Sequence, residues 1–385
     1  MAEHTLKHAW QHSFINQVIN TWKSILADKG VFTMLVVAPI LYGFFYPWPY
    51  KNEVVHNVPV AIIDYDHSIL SDKIITYARV NPRLNAQVIS DENQAKQRMW
   101  HGDIVGYLVI PAGLYQKVNT GQMAKVSVLA NGNYFLLNKQ VQTGFLEVIG
   151  TVSAGIKIQK SVAQGQDINL SKANFNAVNL TINPLYNPTE GYGSYVVPPV
   201  SLLILQQMYF IGTAMLIGTW VEQRKAFANL KTWLARILAI SCLGFILGCF
   251  FYGIIFPLND YPRNQNLAGS LILLTVFFPA VAAMGSLIGL WFAARERAMQ
   301  LLVVSSIPIL FLSGVSWPKQ MLPEPLLYIR WLLPSTSGMN ASLMLNQMGT
   351  PLADTKVYLS ALIVIFLVCL LGLLWFANND YHHNE

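Results

Sequence analysis

Residues 267–293, LAGSLILLTVFFPAVAAMGSLIGLWFA, run for 27 positions without a charged side chain. A helix needs about 20 apolar residues to cross a bilayer, and a run of this length is built to do so. Five further stretches are long and predominantly apolar: 28–49, 196–220, 233–257, 299–316 and 358–376. Only 11% of the chain is charged and 54% is hydrophobic, whereas soluble domains carry about 25% charged residues. The pattern predicts an α-helical membrane protein with six transmembrane helices. A polar insert, 50–195, separates the first two.

Lys and Arg in short flanking segments set the orientation of such a bundle. With both termini cytoplasmic, the inner segments hold nine of them (Lys7, Lys23, Lys29, Arg224, Lys225, Lys231, Arg236, Arg295, Arg297). The short outer segments hold four (Arg263, Lys319, Arg330, Lys356). Nine against four places 50–195 outside as an extracytoplasmic domain and leaves 377–385 as a cytoplasmic tail. The first span reads as an anchor and not a cleaved leader, since 27 residues precede it and no small-x-small site follows.

Residues 1–27 read as an amphipathic interface helix. Leu6, Trp10, Phe14, Val18 and Trp22 recur every four residues, with Ile15 and Ile19 beside them and Lys7, His8, Gln11, His12 and Lys23 mostly opposite. A Trp-rich apolar face suits the lipid interface; packing on a partner is the other reading.

In the polar insert, VPVAIID (58–64) is a β-branched run of buried-strand type, and SDKIITYARV reads as a helix. VISDENQAKQRMWHGD reads as a strand end and a second helix closed by Gly102. Strands at 104–111 and 124–131 and a helix from 134 to about 163 complete a mixed α/β domain. Asp64 and Asp66 invite a metal or catalytic reading, but Asp-x-Asp-x-Ser after a strand fits an Asx turn and a helix cap. His101 stands alone. Cys242, Cys249 and Cys369 all fall in apolar runs, so neither a disulfide scaffold nor a zinc site is indicated. There is no GxSxG, HExxH or Walker GxxxxGK[ST] sequence, so no catalytic residue, cofactor or metal is assigned. The +6 charge does not gather into an aromatic-laced basic patch, which argues against nucleic acid.

Three segments carry a family resemblance. The insert opens VPVAIIDYDHSILSDKI and reaches HGDIVGYLVIP; the second span is approached by YNPTEGYGSYVVPP; and 311–338 reads FLSGVSWPKQMLPEPLLYIRWLLPSTSG. Together and in this order they resemble the ABC-2 (type 2) permease subunits of ABC exporters, over nearly the whole chain. Pro199 stands where that family usually has glycine.

The resemblance implies a non-enzymatic permease subunit in a bacterial inner membrane, with ATP and Mg on a partner ABC ATPase subunit. It implies a second permease copy or close homologue, contact with membrane lipid, and a place for a periplasmic adaptor protein. In such exporters the segment between the fifth and sixth spans forms short re-entrant helices, here within 317–357, with Trp317, Leu322, Trp331 and Leu332 keeping them at the interface. EQRKAFANLKTW (222–233), helical in composition, corresponds to the family's coupling helix, with Glu222, Gln223, Arg224, Lys225 and Lys231 as coupling residues; the family's usual Gly-Thr is missing. Gln206 and Gln207, mid-span, and Phe311, Leu312, Trp317 and Trp331 are the pathway candidates. The two glutamines are equally suited to bonding between helices. The GxxxG spacings at Gly244 and Gly248, and Gly285 and Gly289, read as close packing. The expected function is export of a lipid-like or drug-like substrate. The alternative is a non-transporting receptor or anchor whose outer domain binds a partner. Ion-driven transport is disfavoured, since no span core holds an acidic residue.

Overall fold

The structure, a computed structural model, describes residues 14–170, 184–263 and 266–383. The chain forms two compact units: Val54–Asn183, and a second made of Met1–Glu53 with Pro184–Glu385.

The helical unit begins with α1 (Phe14–Ala27) and α2 (Lys29–Tyr50). Asp28 separates them, its carboxylate accepting from the N–H groups of Gly30 and Val31 at 2.9 and 3.1 Å and so capping α2. Within α2 the residues Thr33–Val37 form a π-turn. Pro39 follows two residues later and has no N–H to give, so the ladder slips by one residue just before it.

The α/β unit orders as β1 (Val58–Asp64), α3 (Ile69–Val80), β2 (Leu84–Ile89), α4 (Glu92–His101), β3 (Gly106–Ile110), α5 (Leu114–Asn119), β4 (Ser127–Ala130) and α6 (Phe135–Ala163). Its four-stranded sheet runs β2-β1-β3-β4, with β1 parallel to both neighbours and β4 antiparallel to β3. Strand β1 is buried on both faces. Val60 and Ile62 meet Leu70 and Ile74 of α3 and Phe145 of α6, while Ala61 and Ile63 meet Ala95 of α4. That explains its unbroken apolar run. Asp64 makes an Asx turn, accepting from the N–H of Asp66 at 2.9 Å and of His67 at 3.1 Å, and Ser68 with Ser71 forms a capping box on α3. Gly102 ends α4 in the left-handed conformation at φ 81°.

The helical unit resumes with α7 (Tyr192–Glu222), α8 (Leu230–Leu258), α9 (Leu267–Phe292), α10 (Arg295–Leu312), α11 (Glu324–Ile329), α12 (Pro334–Ser342) and α13 (Lys356–His383). Five helices among the described residues are long and apolar enough to cross a membrane: α2, α7, α8, α9 and the helix through Leu352–Ala377. The stretch expected at 299–316 folds as α10, which starts earlier, on Arg-Glu-Arg, and stops at Leu312; it falls short of that apolar density. A second π-turn, Phe251–Ile255, sits just before Pro257 in α8, as the first sits before Pro39.

Helix α7 is the axis of the bundle, with 94% of its apolar window buried. Glycines let its neighbours close in. A Cβ at Gly289 of α9 would lie 3.0 Å from Ala214 Cα, and one at Gly285 3.1 Å from Thr213 Cβ. Earlier along the same stripe of α9, a Cβ at Gly248 of α8 would lie 2.8 Å from Leu274 Cδ1, and one at Gly244 would strike the Phe278 ring. Both GxxxG spacings therefore pack helices within the subunit.

Helix α1 carries two apolar stripes. Thr21 and Ile25 are buried, with Phe14 and Val18 half-buried above them, and the helix packs along α8; Ile15, Ile19, Trp22 and Leu26 stay exposed. Trp22 donates its indole N–H to the Ala239 carbonyl at 2.8 Å. The expected single face through Phe14, Val18 and Trp22 is thus divided between a protein neighbour and the surface. Trp10 lies outside the described residues.

Gly244→Leu is expected to overpack the α8–α9 contact and lower stability by about 1–3 kcal/mol. Gly150→Ala in α6, where a Cβ meets nothing within 4 Å, is expected to raise it by up to about 1 kcal/mol. Thermal unfolding of both variants in detergent checks the pair.

Candidate coupling surface and interior polar groups

The 222–233 segment is not a helix throughout. α7 runs on through Glu222, residues 225–229 form no regular structure, and α8 begins at Leu230. Arg224 takes a left-handed φ of 56° that ends α7, and the Asn229 side chain accepts from the Thr232 N–H at 3.0 Å to start α8. The carbonyls between them do not form a helical ladder, because a side chain takes them instead. Arg236, nearly two turns inside α8 and only 8% exposed, donates from Nη1 to the Ala226 carbonyl at 2.5 Å and from Nη2 to the Lys225 carbonyl at 2.7 Å. Its guanidinium lies 4.4 Å from the ring centre of Trp220 and 4.9 Å from that of Trp233. Ala226 is tucked inside, while Glu222, Gln223, Arg224, Lys225 and Lys231 are exposed. All five predicted coupling residues are exposed: Glu222 at the end of α7, Gln223, Arg224 and Lys225 on the loop, and Lys231 in the first turn of α8, so the segment is a loop flanked by two helix ends and not one helix.

Beside it, Arg295 at the start of α10 grips Asp28 with both guanidinium nitrogens, Nη2 to Oδ1 at 2.8 Å, and reaches Thr219 Oγ1 of α7 at 3.3 Å. Two glycines make room: a Cβ at Gly218 would sit 2.9 Å from the Arg295 backbone nitrogen, and one at Gly30 would strike its guanidinium. Hydrogen bonds from Arg295 hold the Asp28 carboxyl below its usual range. The starts of α2 and α10 and the end of α7 are so joined by one bidentate pair.

In the interior, Gln207 Nε2 donates to the Leu302 carbonyl of α10 at 3.2 Å. This is the helix-to-helix reading of that residue. Gln206 is fully buried and its amide has no partner among the described residues. At the other end of α7, Ser194 is a hub. Its N–H and Oγ donate to the two Glu53 carboxylate oxygens at 3.0 and 3.1 Å, and the Tyr192 N–H donates to the Glu53 carbonyl at 2.9 Å. The Ser194 carbonyl, which Pro198 cannot serve, accepts from Gln347 Nε2 at 2.9 Å.

Residues 311–338 form short pieces separated by prolines: a 3₁₀ turn Lys319–Met321 after Pro318, α11 after Pro323, a 3₁₀ turn Arg330–Leu332, and α12 from Pro334. Arg330 and Asn340 fold back on the Ser313 carbonyl, at 3.5 and 3.1 Å, where Gly314 turns the chain at φ 85°. Arg330 therefore supplies positive charge at the C-terminus of α10. Trp331 stacks on Tyr358 at 5.6 Å. Together with Leu332, Met284, Val357, Val364 and Cys369 it lines an apolar groove of about 620 Å³. Phe311 and Trp317 are exposed and Leu312 half-buried. Of the six pathway candidates, Trp331 lines this groove.

Arg236, Asp28 and Ser194 were not singled out for these roles by sequence. Trp233 and Arg236 lie one helical turn apart, and Asp28 just before an apolar run, which are local signals. The Glu53–Ser194 bond spans 141 positions and leaves none.

A bundle of apolar helices, five of them among the described residues long and apolar enough to cross a membrane, with a separate α/β unit inserted after the first, is the build of a multi-pass membrane protein. Residues 29–375 match the sequence profile of the ABC-2 family transporter proteins, and the chain belongs to that family. It is 21% identical, over 81% of its own length and 83% of the relative's, to the "Probable multidrug ABC transporter permease YbhR" of Escherichia coli K12, and equally to that of strain O157:H7.

Asp28→Asn should weaken the joint at Arg295 by about 1 kcal/mol at neutral pH, because both side chains are partly exposed. The Asp28 value is depressed on folding, so its contribution is present at neutral pH and fades as pH falls through the folded value. Thermal midpoints of parent and variant are expected to differ at pH 7 and to converge in acid.

Proposed function

We propose that this chain is the permease half of an ATP-driven exporter, working as a dimer with an ABC ATPase subunit on each half. The observation that carries the reading is the exposed stretch from Glu222, at the end of α7, through Gln223, Arg224 and Lys225 of the loop, held between two helix ends with the Lys225 and Ala226 carbonyls bonded to Arg236. A loop held in this way can receive force from a docked subunit, and the family supports such a partner. α10 serves as the sixth crossing, both termini lie in the cytoplasm of a bacterial inner membrane, and the α/β unit lies outside. The excess of Lys and Arg on the loop side supports that orientation. The substrate is lipid-like or drug-like and is carried outward; the apolar groove at Trp331 and the relative's multidrug name support this. An external adaptor is compatible with the same reading.

Co-purification from the native membrane in mild detergent, with mass spectrometry and an ATPase assay, tests it. A Walker-type subunit is expected at 1:1, and Arg224→Glu with Lys225→Glu is expected to weaken its binding about tenfold or more while stability holds. Hydrophobic compounds should stimulate hydrolysis and polar solutes should not. A second reading, a non-transporting receptor, is favoured by a groove of about 480 Å³ between α3 and α6 in the outer unit; recovery of the protein with no ATPase would bring it forward.

A further inference from the structure

We propose that Arg236 is the positioning residue that makes the 223–229 loop and the paired ends of α7 and α8 move as one body. This rests on the reading of that loop as the ATPase contact. An arginine at a membrane helix end ordinarily extends to water or headgroups. Arg236 does neither, being 8% exposed with no carboxylate within ion-pair distance among the described residues. Its planar group fills the slot between Trp220, two residues before the end of α7, and Trp233, at the start of α8. The two edge nitrogens are spent on consecutive loop carbonyls, Lys225 and Ala226. Four attachments therefore meet on one rigid plane: the α7 end, the α8 start and two points of the loop. Only guanidinium can stack on two rings and donate in a fork at once; an ammonium has no plane to stack and no fork. A push on Arg224 or Lys225 is thereby delivered to both helices instead of being absorbed by bending of the loop.

The test separates position from stability. Arg236→Met keeps an unbranched apolar filler between the rings but removes both donors. In the isolated permease, trypsin should cut after Arg224 or Lys225 about tenfold faster than in the parent, with the thermal midpoint retained. In the complex, the ATPase subunit should still co-purify, while the turnover it gains from the permease, relative to the free subunit, should fall about tenfold. Arg236→Lys should lie between the two. Parental cleavage and turnover in Arg236→Met would overturn the proposal. Should that variant fail to fold, Arg236→Lys decides: parental values overturn the proposal and reduced turnover with faster cleavage supports it. Arg224→Glu with Lys225→Glu separates the two ideas. If that surface change leaves docking and turnover intact, the loop is not the ATPase contact, whatever Arg236 does.

Discussion

Inside an apolar bundle every backbone carbonyl must find a donor within the protein, and each proline in a helix removes one. Much of the helical unit follows from where those debts fall. Before Pro39 and before Pro257 the ladder widens into a π-turn. At Pro198 the solution is tertiary, with Gln347 brought in to the carbonyl of Ser194. The proline-punctuated stretch after α10 uses the same logic from the other direction. Its arginine and asparagine return to serve the carbonyl on which α10 ends.

The second constraint is close approach. α7 is buried nearly throughout because glycines on α9 let it approach to backbone contact, and glycines on α8 make room for the Leu274 and Phe278 side chains of α9. Polar side chains on so buried a helix have few choices. Gln207 bonds across to α10, Thr219 meets Arg295, and Ser194 gathers three connections at the far end. Both ends of α7 are thus cross-linked by polar bonds, while its middle is packed by shape and tied to α10 through Gln207.

Much of this was legible in the sequence, where the signal was periodic or local. The apolar strand β1, the Asx turn and capped helix after Asp64, and the left-handed Gly102 all follow from neighbours within a few residues. The glycine spacings likewise read correctly as packing. What stayed hidden depends on residues brought together by the fold. Residues 223–229 have a helical composition, yet Arg236 takes their carbonyls from outside the segment. The face of α1 divides because α8 covers only half of it. The weakest apolar run, 299–316, became a helix shifted towards its charged start.

The Glu53–Ser194 contact has a consequence for how such a chain can change. Its carboxylate and backbone bind residues 192 and 194, so the two ends of the long excursion between them are fastened to each other within the bundle. The excursion begins and ends at one knot, and the helices behind that knot keep their register without reference to what lies beyond it. A domain attached in this manner is an interchangeable cargo of the scaffold: it can lengthen, shrink or be exchanged while the membrane part stays as it is.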